Sequence, residues 1–214
     1  MVENLESYYK KRAKEYDKVY DKPERQHDLK QLHNYLKTAF ADKRVLEIAC
    51  GTGYWTKTIT ETCTSILATD INEAVLEIAR TRDYPKTPVD FQAIDFWQLK
   101  TALKPYDVVF GGFIWSHVLR GDLLRFLNIL QNQLKADGEL VFIDNKYVEG
   151  SSTPISRKDE MGNTYQIRHL QNGAEYEVLK NFPKRVEIEN LIQDFGFEMG
   201  WIELEYFWVL RLKK

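Results

Sequence analysis

An α/β fold, a mostly parallel sheet with helices on both faces, is predicted for this chain by three observations. Short apolar strands alternate with helical segments between residues 43 and 145, the rhythm of parallel strands joined by helical crossovers. A glycine turn, Gly51-Thr52-Gly53, stands between the first of these strands and the helix after it. Acids, Asp70 and Asp95, close the next two strands.

The elements follow in order. Residues 1–40 read as a helical cap: Leu29, Leu32, Leu36 and Phe40 recur at helical spacing and lay one apolar stripe on a core. Pro23 suits the first turn of that helix, with Asp21 as its expected cap. Upstream, Leu5, Tyr8, Tyr9, Ala13, Tyr16 and Tyr20 form a tyrosine-rich amphipathic segment, also read as helical. Val45 to Ala49 is the first strand, followed by a helix from Tyr54 to about Thr62. Ser65 to Thr69 is the second strand, with Asp70 at its end, and Asn72 is placed to cap a helix facing the core with Val75, Leu76, Ile78 and Ala79. Pro85 and Pro88 precede a third strand, Val89 to Ile94, ended by Asp95. Tyr106 to Phe110 is the fourth. Leu123, Leu127, Leu130 and Leu134 mark a helix ending near Gly138, and Glu139 to Ile143 is the fifth strand.

After residue 150 the alternation stops. A polar stretch leads to two short strands, Tyr165 to Leu170 and Glu175 to Leu179, joined across Asn172-Gly173, a strong hairpin signal. Ile188, Leu191, Ile192 and Phe195 mark a last helix, stopped by Gly196, and two aromatic-rich runs close the chain. The 214 residues suit one α/β domain, with 1–40 as cap and 150–183 as an insertion.

Bulk composition narrows the function. A formal charge of -2 and the lack of a long basic block give no general attraction for nucleic acid. Two cysteines, Cys50 and Cys63, are too few for a disulfide framework, so a reducing, cytoplasmic setting is expected. No apolar run approaches membrane-spanning length, and no histidine pair has metal-ligand spacing, so neither membrane nor metal is expected.

In an open α/β sheet, ligands bind beyond the C-terminal ends of the strands, so the strand-end residues are the informative ones. Gly51 and Gly53 let backbone approach a ligand closely. Asp70, about twenty residues on, is placed for a ribose diol, and Asp95 for an adenine amino group. A dinucleotide-binding dehydrogenase shares this logic, but its Gly-x-Gly-x-x-Gly/Ala fingerprint needs a small residue where Thr56 stands. Glu47, an acid on the first strand, sits badly beside a pyrophosphate and suits the ammonium of an amino-acid ligand.

The run Val45-Leu46-Glu47-Ile48-Ala49-Cys50-Gly51-Thr52-Gly53 resembles the first motif of class I S-adenosylmethionine-dependent methyltransferases. Asp70, Asp95 with Phe96, the fourth strand Tyr106 to Phe110, and the turn Lys135-Ala136-Asp137-Gly138 are similar to that family's later motifs, over roughly residues 43 to 145. The resemblance implies a Rossmann-like, seven-stranded sheet with an antiparallel last strand, and S-adenosylmethionine as cofactor. It places Glu47, Ala49, Gly51, Gly53, Tyr54, Asp70, Ile71, Asp95, Phe96 and Phe113 around that cofactor. Cys50 is read as a small buried side chain rather than a nucleophile.

In the segment after strand four, which often carries paired histidines in this family, Ser116 takes the first place and His117 the second. His117 is therefore the candidate general base, set against a purely structural role. The tyrosine-rich segment resembles the opening helix of small-molecule members, which lies over the cofactor. Tyr8, Arg12 and Tyr16 share a face at spacing four, with Arg12 expected on the cofactor carboxylate and the tyrosines beside the sulfonium. The insertion is expected to serve as an acceptor lid or a homodimer contact, and Asn145, Lys146 and Tyr147 to face the acceptor. The reading is methyl transfer to an O, N or C atom of a small-molecule acceptor. An RNA or protein methyltransferase and a non-catalytic cofactor-binding protein are the alternatives.

Overall fold

The computed structural model describes residues 12, 17, 19–84, 86–100, 104–170 and 173–214. Among them a seven-stranded sheet is built from β1 (Arg44–Ile48), β2 (Ser65–Asp70), β3 (Val89–Ala93), β4 (Tyr106–Gly112), β5 (Leu134–Asn145), β9 (Glu198–Glu203) and β10 (Phe207–Lys213). Their spatial order is β3-β2-β1-β4-β5-β10-β9. The first five strands pair in parallel, and β10 runs antiparallel to both β5 and β9. The chain winds outward from β1 toward β3 and then restarts on the other side at β4. Crossovers on either side of that point leave a crevice beyond the ends of β1 and β4.

Alternation along the central strands makes two cores. Leu46, Ile48 and Val109 face one side, with Phe126, Leu127 and Leu130 of a helix at Leu123–Gln131 and Ile188 and Ile192 of a helix at Arg185–Ile192. Val45, Val108 and Phe110 face the other, beneath Leu29, Leu32, Leu36 and Phe40. The predicted stripe of the cap is thus fully buried. Its leucines belong to α1 (Gln26–Ala39) and Phe40 is that helix's C-cap; truncating Leu36, which has no exposed surface, costs about 2–5 kcal/mol. The later helices among the described residues are, in chain order, α2 (Tyr54–Ile59), α3 (Glu73–Arg80), α4 (Leu123–Gln131) and α5 (Arg185–Ile192).

Several expectations need correction. Lys22, not Asp21, holds the cap position before a 3-10 turn at Pro23–Arg25, and no side chain caps it. α4 stops at Gln131, and Leu134 already belongs to β5, where a register shift opposite Tyr106 and Val108 absorbs the turn. Leu134 looked helical because an apolar residue opening a strand mimics the next point of a helical repeat. α2 ends at Ile59, short of Thr62.

The insertion forms a separate three-stranded sheet. A two-residue strand, β6 (Arg157–Lys158), joins the expected pair β7 (Thr164–His169) and β8 (Glu175–Leu179). β6 is too short for a sequence pattern to show. Among the described residues no helix is long and apolar enough to cross a membrane.

Candidate active site

The glycine loop leaves β1 through three residues in the left-handed region. Ala49, Gly51 and Gly53 have φ of 50°, 57° and 78°. A β-carbon on Gly53 would lie 2.4 Å from the Tyr84 hydroxyl and 3.2 Å from the Ala79 methyl, so that position is closed to a side chain by both space and backbone. Asp70 holds the loop in shape: its carboxylate accepts the N–H of Gly51 and of Asn72, each at 2.9 Å. Asn72 caps α3, accepting the Ala74 N–H at 3.0 Å, as its position suggested.

Around this loop stand the other strand-end residues. Asp95 accepts the Trp97 N–H at 3.0 Å and starts a 3-10 turn that buries Phe96, while Ile71 is 38% exposed. Phe113, just beyond β4, has φ of 62°. Like Ala49 beyond β1, it is a non-glycine residue held left-handed at the crevice, a strain characteristic of functional sites. Phe113 stacks on Phe207 at 5.6 Å and on Tyr20 at 5.7 Å, and Tyr20 lies flat on Tyr54 at 3.5 Å. His33 braces Tyr54 from behind, its ring nitrogens 3.2 Å from the Tyr54 hydroxyl and 2.6 Å from Thr58 Oγ1. Thr52 donates to Asp17 at 2.6 Å, and Arg82 pairs with the same carboxylate. Asp17 is therefore tied to the glycine loop.

Glu47 lies buried on the Val45 face, where the Thr56 hydroxyl donates to it at 2.6 Å. Burial, reinforced by nearby Asp70 and only partly offset by Thr56, pushes its carboxyl up to about 8. A carboxylate in this position favours a cationic neighbour. The residues fit S-adenosylmethionine on this chemistry: Gly51 and Gly53 leave room for close backbone approach, and Glu47, Asp70 and Asp95 offer acceptors to ammonium, hydroxyl and amino groups. Cys50 is buried beside them with its thiol pushed well up by that burial, the inert state expected of it.

On the far side of Phe113 the charge reverses. A cavity of about 200 Å³ is lined by Arg12, Lys22, Arg25, Arg168 and Lys180, with no acid among the described residues of its wall. Arg25 is 7% exposed. It donates to Asn145 Oδ1 at 3.1 Å and to Ser151 Oγ at 2.9 Å, and Lys22 donates to the Ser151 carbonyl. Arg168 donates to Thr153 Oγ1 at 2.9 Å and to Gln166 Oε1 at 2.6 Å. Burial lowers the Arg25 pKa against Glu24 and Tyr206, which raise it, with a smaller downward push from Arg168; burial with Arg25 beside it lowers that of Lys22, partly offset by Glu24. An anion in the cavity would relieve both the burial cost and what repulsion remains between these cations.

Lys180, which follows β8, carries the insertion into this wall. Its ammonium donates to Ser116 Oγ at 2.6 Å and to Asp144 Oδ1 at 3.0 Å, and Asp144 also accepts the Ser116 N–H at 2.9 Å. Burial alone would raise the Asp144 pKa, but Lys180 and the Ser116 N–H hold it down. His117 is half-buried beside them. Its Nδ1 lies 2.6 Å from the Leu179 carbonyl, which only accepts, so Nδ1 carries the proton and Nε2 is the acceptor nitrogen. Burial, with Lys180 close by, pushes its pKa down to about 3.

The sequence-derived candidates thus separate into two groups. Glu47, Ala49, Gly51, Gly53, Tyr54, Asp70, Ile71, Asp95, Phe96 and Phe113 gather at the crevice, whereas Arg12 and His117 line the cationic cavity. Tyr8 and Tyr16 lie outside the described residues. Asn145 does line the cavity, but Lys22, Arg25, Arg168 and the Ser116–Asp144–Lys180 group were not singled out as site residues. Asp144 had a usable signal, since it is an acid at the end of β5 just as Asp70 is at the end of β2.

Fold and crevice together define a class of enzyme, and comparison with known proteins agrees. The methyltransferase-domain family matches residues 20–200, and the chain belongs to that family as an S-adenosylmethionine-dependent methyltransferase. It is 31% identical over 225 residues to the malonyl-[acyl-carrier protein] O-methyltransferase of Acetivibrio thermocellus, covering 97% of this chain and 74% of that protein. The protein of the same name from Bacillus cereus is 34% identical over 106 residues, 48% of this chain and 37% of the other. Among solved structures, the DhpI-SAM-HEP complex superposes with a TM-score of 0.84 at 22% identity, covering 100% and 97% of the two chains. The PH0226 protein from Pyrococcus horikoshii OT3 gives 0.72 at 19% identity, covering 93% and 98%. These two likenesses bear on the fold alone.

Proposed function

We propose that the chain methylates an anionic oxygen of a small-molecule acid. The observation that carries this reading is the cavity beyond Phe113, walled by Arg12, Lys22, Arg25, Arg168 and Lys180 with no acid among the described residues of its wall. Such a wall binds and orients an acid group through charge-assisted hydrogen bonds. The relatives' name, an O-methyltransferase of a malonyl group, supports oxygen as the receiving atom.

Glu47, Ala49, Gly51, Gly53, Tyr54, Asp70, Ile71, Asp95, Phe96 and Phe113 are assigned to the cofactor, with Tyr8 and Tyr16 of the N-terminal segment over it. When bound, S-adenosylmethionine supplies a methyl group on a positively charged sulfur. The chain's part is positioning: the cations fix the acid, and Phe113, Tyr20 and Phe207 keep water from the join between the two halves. An ionised oxygen has no proton to lose. His117, with its pKa near 3, is matched to accepting a hydrogen bond and is a weak store for a proton at neutral pH. Arg12 faces the acid in this reading rather than the cofactor carboxylate.

The test is the charge of the product. Methylation of an acid oxygen removes one negative charge, whereas methylation at carbon leaves the charge unchanged and at an amine does not remove a negative one. Labelled product is expected to elute from an anion exchanger with one negative charge fewer than its acceptor. Retention unchanged by methylation would sink the proposal.

A further inference from the structure

A second cleft, of about 420 Å³, opens next to the cationic cavity, within the range of small-ligand pockets, about 300–1,000 Å³. The two share one wall residue, Phe182. Consecutive residues also divide between them: Asn145 lines the cationic cavity, while Lys146 and Tyr147 line the second cleft. Tyr147 is 41% exposed and meets Phe182 edge-on at 5.3 Å. The floor is a pair of indoles, Trp201 and Trp208, stacked at 5.2 Å and 17°.

Its wall carries three cations, Lys146, Lys184 and Arg185, and one acid, Glu203. Lys146 pairs with Glu203 at 2.7 Å, and Arg185 pairs with Glu189 at 2.7 Å. Lys180 of the cavity next door is likewise paired, with Asp144 at 3.0 Å, but no acid stands among the described residues of that cavity's own wall. The stacked and edge-on aromatic faces of this cleft suit an apolar or aromatic chain.

We infer that this cleft receives the distal part of the acceptor, so that the substrate is an acid borne on an extended apolar or aromatic chain that passes over Phe182. The inference rests on the assignment of the cationic cavity to the acid group. Acid head and chain then occupy adjoining pockets, and the chain, not the acid, distinguishes one acceptor from another. Tyr147, Phe182 and Trp201 are specificity-determining residues on this reading.

The experiment is calorimetric titration of the full chain with propanoate, 6-phenylhexanoate and 6-phenylhexanol. We expect 6-phenylhexanoate to bind about tenfold more tightly than propanoate, the equivalent of about 1.4 kcal/mol from aromatic contact. Tyr147→Ala, at an exposed position, and Trp201→Ala should each remove most of that gain and leave propanoate binding unchanged. Equal binding of the two acids, or equal weakening of both in the variants, overturns the second cleft while the acid site stands. If neither acid binds more tightly than the alcohol, the acid site fails and this inference fails with it.

Discussion

The two halves of the site carry opposite charge, and each is built to want what the other lacks. The crevice beyond β1 and β2 collects Glu47, Asp70 and Asp95, and burial lifts Glu47 to about 8. The cavity beyond β4 and β5 collects Arg12, Lys22, Arg25, Arg168 and Lys180, and burial lowers His117 to about 3. Phe113 stands between them. An acidic half suits a cationic donor and a basic half an anionic acceptor, and on the proposed reading transfer of a methyl group between them cancels both charges. On that reading, exclusion of water from the join would let the cancellation favour product over reactants.

Stability against pH separates the halves most strongly. Native His117 binds its proton only near pH 3, while the unfolded chain binds it from about 6.5. Between those values the unfolded state holds more protons, so the His117 contribution is present above about pH 6.5 and is lost as pH falls toward 3. Glu47 has the opposite sign. Its native carboxyl keeps a proton up to about pH 8 and the unfolded one only to about 4.5, so its contribution is present below 4.5 and is lost as pH rises through 8. Each effect has an upper size on the order of 4–5 kcal/mol over its window. We expect His117→Asn to flatten the acid limb of a denaturation profile and Glu47→Gln to flatten the alkaline one. Variants that shift the curve without changing either slope would falsify the opposed-charge description.

A slightly smaller effect tests what holds the basic half together. Lys180→Met leaves Asp144, with no exposed surface, without its cation, a change expected to cost about 3–5 kcal/mol. Adding Asp144→Leu should recover most of that loss, because the pair as a whole contributes little beyond an apolar replacement. Chemical denaturation of the single and double variants measures both. A double variant no more stable than the single one would mean that Asp144 is held by Ser116 and not by Lys180.

The acidic half was far more legible in the sequence than the basic half, and the reason is locality. Val45 to Gly53 carries strand, turn and acid within nine residues, and Asp70 and Asp95 end the next two apolar runs, so pattern and spacing place them all. The α1 stripe from Leu29 to Phe40 was equally plain, since one helix face suffices to define it. The basic half is assembled from residue 12, a 3-10 turn, the ends of β4 and β5, and the insertion. Each of its cations looks like an ordinary solvated surface charge until the chain closes. Arg25 shows this best, because Glu24 and Gln26 beside it are exposed while it is buried.

The glycine loop offers a sharper break of the acidic half alone. Gly53→Val puts a branched side chain at φ 78° against Tyr84 and Ala79, a strain of about 1–3 kcal/mol before any clash with a ligand. Affinity for S-adenosylmethionine should fall about a hundredfold by calorimetry, with propanoate binding retained. Loss of both ligands together would show that the halves share more than their Phe113 boundary.

The mildest change should sharpen the other side. Arg168→Gln removes one charge from the cavity but keeps an amide for Thr153 and Gln166, so the β7–β8 sheet is expected to fold as before. A charge-assisted hydrogen bond is worth about 1.5–3 kcal/mol, and sharing of the acid among five cations puts the loss at the lower end. The acceptor KM should therefore rise about tenfold while the affinity for S-adenosylmethionine stays as it was. Arg168→Lys, which restores the charge without the planar fork, should recover part of the loss but not all of it. Unchanged KM in Arg168→Gln would remove this residue from the acid's shell and leave Arg25 and Lys180 as the groups that hold it.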